Sequence, residues 1–158
     1  MPGKVLDWSH DMTVQFWVQL RQPASLGTPA RLFSDIDVDA GGGVEISLVE
    51  ASVGNLVLDV TACTDPTTNM VQFGDATIAY PTSGSWQFVR VVRTGSMVYA
   101  CLNGQRMASL TVDPNLPPSF MTFNAPDLGK HPGPTSESAV FDGLLDDVRA
   151  ISSALPCD

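Results

Sequence analysis

The chain has 158 residues and a net charge of −9, from 17 acidic against 8 basic side chains. A chain of that length suits one domain, 1–158, and buries about 70% of its unfolded surface, so neither a metal nor a disulfide framework is required to hold it together. Its acidity, with no Lys/Arg cluster, excludes a nucleic-acid binder, and no apolar run approaches the roughly 20 residues that span a bilayer, which excludes membrane insertion.

Alternation recurs along the chain, and helical periodicity does not. "MTVQFWVQL" (12–20) places Met12, Val14, Phe16, Val18 and Leu20 on one face and Thr13, Gln15, Trp17 and Gln19 on the other, the pattern of a half-buried strand. "RLFSDID" (31–37) and "VEISLVE" (44–50) are strand-like and joined through "AGGG", which predicts a hairpin. "NLVLDVTAC" (55–63) follows, and then a turn-rich stretch holding a short strand at 76–80. "WQFVRVVR" (86–93) turns through "TGS" into "MVYACL" (97–102). Asn103-Gly104 then turns the chain into "QRMASLTV" (105–112), because both residues tolerate φ > 0. "SFMTF" (119–123) is a further strand, "DLGKHPGPTSES" (127–138) a polar loop, and "AVFDGLLDDVRAI" (139–151) the last long apolar segment. The expected architecture is all-β, an antiparallel two-sheet sandwich.

The order of these motifs resembles the laminin G-like and pentraxin group, whose fold is the concanavalin A-like jelly roll. The early strand around Trp17 carries the resemblance first. The hairpin with Trp86, Val89, Asn103 and Gly104 follows, and then the closing segment with Phe141, Gly143, Asp146, Asp147, Val148 and Arg149. The resemblance runs from about Met12 to Leu155 and implies a jelly roll of 11 to 14 short strands. Trp17, Trp86 and Phe141 are read as core or sheet-face packing rather than as ligand-stacking residues.

"SDIDVDAGGG" (34–43) is the most conspicuous polar motif. Laminarinase-type hydrolases of the same jelly roll carry Glu-x-Asp-x-Glu on one strand face, and retaining hydrolysis needs its carboxyl groups about 5–5.5 Å apart. Strand positions four apart lie roughly 13 Å apart at Cα, so long glutamates must lean together. Asp35, Asp37 and Asp39 are shorter, and the segment runs into glycines; the chain is expected not to be an enzyme. An EF-hand fails on register, since position 6 counted from Asp35 is Ala40 and position 12 is Ile46.

The pentraxin resemblance instead implies a calcium site split between this hairpin and "FNAPDLG" (123–129), with Asp37, Asp39 and Asp127 as metal ligands. The sequence departs from that pattern at Ala125 and Pro126, and the residues matching the pentraxin hairpin pair are Gly43 and Val44. A solvated turn therefore stays open. Asp35, Asn124, Asp127 and His131 mark the ligand-binding loops, 35–43 and 124–135. Asp146 and Asp147, adjacent on a strand, point to opposite faces, so at most one joins a given site, and hydrogen bonding to loops or a pair with Arg149 is the expected role.

Three cysteines allow one internal bridge. Cys63 ends one strand and Cys101 lies within another, so a Cys63–Cys101 bridge requires those strands to be neighbours, with buried thiols as the alternative. Cys157, beyond Pro156, is placed to bond to a segment outside this chain.

The fold implies a recognition or adhesion module that binds glycan or protein through edge loops, with calcium as the candidate cofactor. The alternative is a structural subunit or decoration domain acting through homo-oligomeric or larger assembly contacts. "MPGKVLDWSH" lacks the apolar core of a signal peptide. The chain is therefore expected to be either an excised, surface-associated piece of a larger protein or part of an assembled particle.

Overall fold

The computed structural model describes residues 10–21, 30–34, 44–52, 55–62, 76–80, 84–111, 127–128 and 142–158. The described residues form β1 (Met12–Leu20), β2 (Ala30–Ser34), β3 (Val44–Ser52), β4 (Asn55–Ala62), β5 (Ala76–Tyr80), β6 (Gln87–Thr94), β7 (Met97–Leu102), β8 (Gln105–Thr111), β9 (Asp127–Leu128) and β10 (Gly143–Ile151). They make two antiparallel five-stranded sheets, ordered β10-β1-β6-β7-β8 and β5-β4-β3-β2-β9. This is the two-sheet jelly roll the sequence implies. The strand expected at 119–123 lies outside the described residues.

The alternation of β1 becomes burial. Val14, Phe16 and Val18 face inward with Val89 and Val91 of β6, and they meet Leu32, Phe33, Ile46, Leu48, Leu58 and Val60 of the second sheet in one core cluster. Leu32 and Phe33 are consecutive yet both buried. The β2–β3 register slips between Arg31 and Phe33, and this bulge lets neighbouring side chains enter the same core.

A second bulge interrupts β10. Gln15 opposes Arg149 and Trp17 opposes Asp146, so Asp147 and Val148 together face Phe16. Asp147 takes φ +52°, and its N–H donates to Asp146 Oδ1 at 2.8 Å. Arg149 Nε donates to Asp147 Oδ1 at 2.7 Å, the expected ion pair, although simple alternation fails at this point. At the β7–β8 turn, Asn103 and Gly104 have φ +51° and +82°, as an Asn-Gly hairpin requires. The Phe88 N–H donates to Asn103 Oδ1 at 2.9 Å and ties that turn to β6.

After β10 the chain turns back across the outer face of the first sheet. Thr13 Oγ1 donates to the Ser153 carbonyl and accepts from the Leu155 N–H, while the Tyr99 hydroxyl donates to the Leu155 carbonyl at 2.9 Å. Arg90 donates to the carbonyls of Pro156 and Asp158. A disulfide joins Cys101 to Cys157, and Ala154 and Cys157 cover Val92, Tyr99 and Cys101 in a small second cluster. The expected Cys63–Cys101 bridge is thereby corrected. The strand that ends at Ala62 belongs to the opposite sheet, whereas Cys101 takes its partner from the tail lying on its own outer face. Cys157 likewise bonds within this chain and not to an outside segment.

Candidate functional site

The edge of the second sheet brings the end of β2 beside Asp127. β9 is its last strand and pairs antiparallel with β2, with Ser34 opposite Asp127 and Phe33 opposite Leu128. Directly opposed residues of such a ladder have Cα atoms about 4.5–5.5 Å apart. The chain therefore leaves β2 into segment 35–43 at the place where segment 124–126 delivers Asp127. Asp127 was expected at the head of a loop; it begins a two-residue strand instead. Asp35, Asp37, Asp39, Asn124 and His131 lie outside the described residues. The backbone thus brings Ser34, the residue before segment 35–43, to Asp127 at one sheet edge.

A different surface is described in full. The outward residues of β1 and β6 pair as Trp17 with Phe88, Gln15 with Arg90 and Thr13 with Val92. The tail covers the Thr13–Val92 end and reaches Arg90. Trp17 and Trp86 are each 40% exposed, and Leu144, opposite Gln19 on β10, is exposed too. Trp17 rests on Phe88 with ring centroids 5.1 Å apart and planes inclined 46°. The Arg90 guanidinium covers Phe88 at 5.3 Å. Gln19, next along the outward row of β1, donates its amide to the Gly84 carbonyl.

Contacts run in order from tail carbonyls to Arg90, to Phe88, to Trp17. Trp17 does pack on the sheet face, as the sequence implies. Trp86, just before β6, is exposed to the same 40%. The exposed Trp17–Phe88 contact is what sequence reading missed, since it depends on the β1–β6 register. Phe141 lies outside the described residues. Among the described residues no helix is long and apolar enough to cross a membrane.

Comparison with known proteins gives a consistent placement. A family model described as the concanavalin A-like lectin/glucanases superfamily matches residues 1–157. Among solved structures, the chain is similar to domain 4 of AbnA, a GH43 extracellular arabinanase from Geobacillus stearothermophilus, in complex with arabinotriose. The TM-score is 0.60 at 24% identity, over 94% of this chain and 63% of that one. It is similar to the native heptameric SAP-like pentraxin from Limulus polyphemus, with TM-score 0.62 and 17% identity over 94% and 66%. It is also similar to the binding domain of botulinum neurotoxin DC in complex with SialylT, with TM-score 0.63 and 13% identity over 94% and 34%. The chain thus spans less than two thirds of the arabinanase domain's length and about a third of the toxin domain's. No curated protein sequence matches it.

Proposed function

The chain belongs to the concanavalin A-like lectin/glucanases superfamily, and from that membership we propose a non-catalytic recognition module that binds glycan through the loops at its β2–β9 edge, with calcium assisting. The observation that supports this reading is the pairing of Ser34, the residue before segment 35–43, with Asp127 at one sheet edge. The arabinotriose and SialylT complexes of structurally similar domains support a glycan as the ligand class.

Carboxylate and amide oxygens are the donors that hard cations prefer. Asp37, Asp39 and Asp127 would hold the ion, with Asp35, Asn124 and His131 contributing to the surrounding ligand surface. Bound there, calcium supplies a positive centre to which sugar hydroxyls can add. The non-catalytic part of the reading rests on side-chain length: three aspartates at alternate positions do not span the gap that paired glutamates close.

The test is an oligosaccharide array probed with the wild-type chain and Asp127→Asn, in calcium and in EDTA. Binding in calcium that disappears in EDTA and in the variant is the expected result. Silence of the whole array, together with a repeating interface between copies above roughly 1,000 Å², would replace this reading by structural assembly. Release of reducing sugar, lost in Asp35→Ala and Asp39→Ala, would replace it by a hydrolase.

A further inference from the structure

We propose that the Cys101–Cys157 bridge, whose Cys101 stands between Arg90 and Arg106, is a redox-sensitive latch that a dithiol reductant opens in the folded chain. Its opening frees the tail from the outer face of β6 and β7. The latch is independent of the β2–β9 edge, which belongs to the other sheet.

Three observations support this device. The first is the charge around Cys101. Arg90 of β6 opposes it directly on one side and Arg106 of β8 on the other. Directly opposed residues of antiparallel strands share a face, with Cβ atoms about 4.5–5.5 Å apart. The two-residue Asn103-Gly104 turn sets this register, pairing Leu102 with Gln105 and Cys101 with Arg106 before a bulge brings Ala108 opposite Ala100. The Arg106 guanidinium lies 4.2 Å from the centroid of the Tyr99 ring, on the outer face that carries the bridge. Two of the chain's 8 basic side chains thus flank one cysteine, although the whole chain carries −9. Arginine beside a cysteine favours its thiolate, and a sulfur that holds negative charge well leaves a disulfide faster.

Access is the second. Cys101 is 1% exposed, whereas Cys157 is only partly buried, so an incoming thiolate attacks Cys157 Sγ. A bond forms from the reductant to Cys157, the bond to Cys101 breaks, and its electron pair leaves on Cys101 Sγ between the two arginines. The second thiol of the reductant then displaces Cys157 as a thiolate. The reductant ends as a cyclic disulfide, having given up two electrons, and its two protons pass to the two cysteines. Separation is the third. Val92, Tyr99 and Cys101 form a cluster with Ala154 and Cys157, and the main core of the sandwich contains none of these residues. The remaining ties of the tail are hydrogen bonds from Thr13, Tyr99 and Arg90. Opening the bridge therefore loosens the tail locally, uncovering Val92 and Tyr99, and leaves the sandwich folded.

The test is timed reduction of the folded full chain by dithiothreitol without denaturant, after any free thiol has been capped with N-ethylmaleimide. Aliquots are alkylated with iodoacetamide and mapped by mass spectrometry, with circular dichroism and hydrogen exchange followed in parallel. Cys101 and Cys157 should gain the label together while the circular dichroism stays native, and exchange should rise at 155–158 but not in β1 or β6. Arg106→Gln should slow opening about tenfold, and Arg106→Lys, which keeps the charge, should restore most of the rate. If Arg106 served only as a cover, its removal would speed reduction, so the sign of the change separates the two roles. A bridge that stays closed until the circular dichroism of the sandwich is lost would overturn the proposal, as would unchanged exchange at 155–158 after labelling. Opening that is as fast or faster in Arg106→Gln, or equally slow in Arg106→Lys, would also overturn it. No glycan or calcium enters these measurements, so their failure is distinguishable from failure of the edge site.

Discussion

Ser34, the last residue of β2, stands opposite Asp127, the first residue of β9, and this pair joins two sequence-distant segments at one sheet edge. An ion bridging those segments binds the folded chain alone and therefore stabilises it. At a concentration a hundred times the dissociation constant the gain is about 2.7 kcal/mol. Thermal unfolding should show Tm raised by calcium, restored to its baseline by EDTA and indifferent to calcium in Asp127→Asn. A wild-type Tm that calcium leaves unmoved would remove calcium from the account.

Cys101 and Cys157 close a loop of sequence separation 56. Chain-entropy arguments give such a bridge about 4 kcal/mol. Urea unfolding of Cys157→Ser should lose an amount of that order, since the tail also loses its anchor over Val92 and Tyr99. Non-reducing peptide mapping should recover Cys101 linked to Cys157, with Cys63 alkylated. A peptide linking Cys63 to Cys101 would contradict the tail placement.

Consecutive residues of β1 should respond in opposite ways. Phe16 is buried in the main core and Trp17 is on the open face. Phe16→Ala should cost about 3–5 kcal/mol of stability, whereas Trp17→Ala should stay within about 1 kcal/mol, the size of its contact with Phe88. Equal losses in chemical denaturation would mean that the faces of β1 are wrongly assigned.

The Asn103-Gly104 turn gives a purely conformational prediction. A Cβ on Gly104 would lie 3.7 Å from the Cys157 carbonyl, an ordinary contact, but φ is +82°. Gly104→Ala should therefore cost about 1–2 kcal/mol through the backbone alone. Gly104→Asn, which tolerates the left-handed region better, should cost less. An alanine variant as stable as wild type would show that the turn adopts another form.

The strands were legible wherever apolar residues alternate. The sequence reading of β1, β5 and β7 coincides with the observed strands, and the Asn-Gly hairpin is where turn chemistry put it. β9 was not legible, because two residues carry no periodicity and its partner β2 is remote in the chain. The disulfide was misassigned for a related reason. Cys157 meets Cys101 only because the tail folds back over β6 and β7, a tertiary path that no local pattern encodes. Alternation put Trp17 on the polar face of its strand, yet its contact with Phe88 required the β1–β6 register. Whether the 35–43 segment meets Asp127 was readable as a question; the described residues add that Ser34, just before it, pairs with Asp127.

Glycan binding at the β2–β9 edge is decided by the array with and without EDTA. Glycan spots should appear in calcium, vanish with chelator and be missing for Asp127→Asn. An array on which every bound glycan persists in EDTA and in Asp127→Asn, or on which none is bound at all, would contradict it.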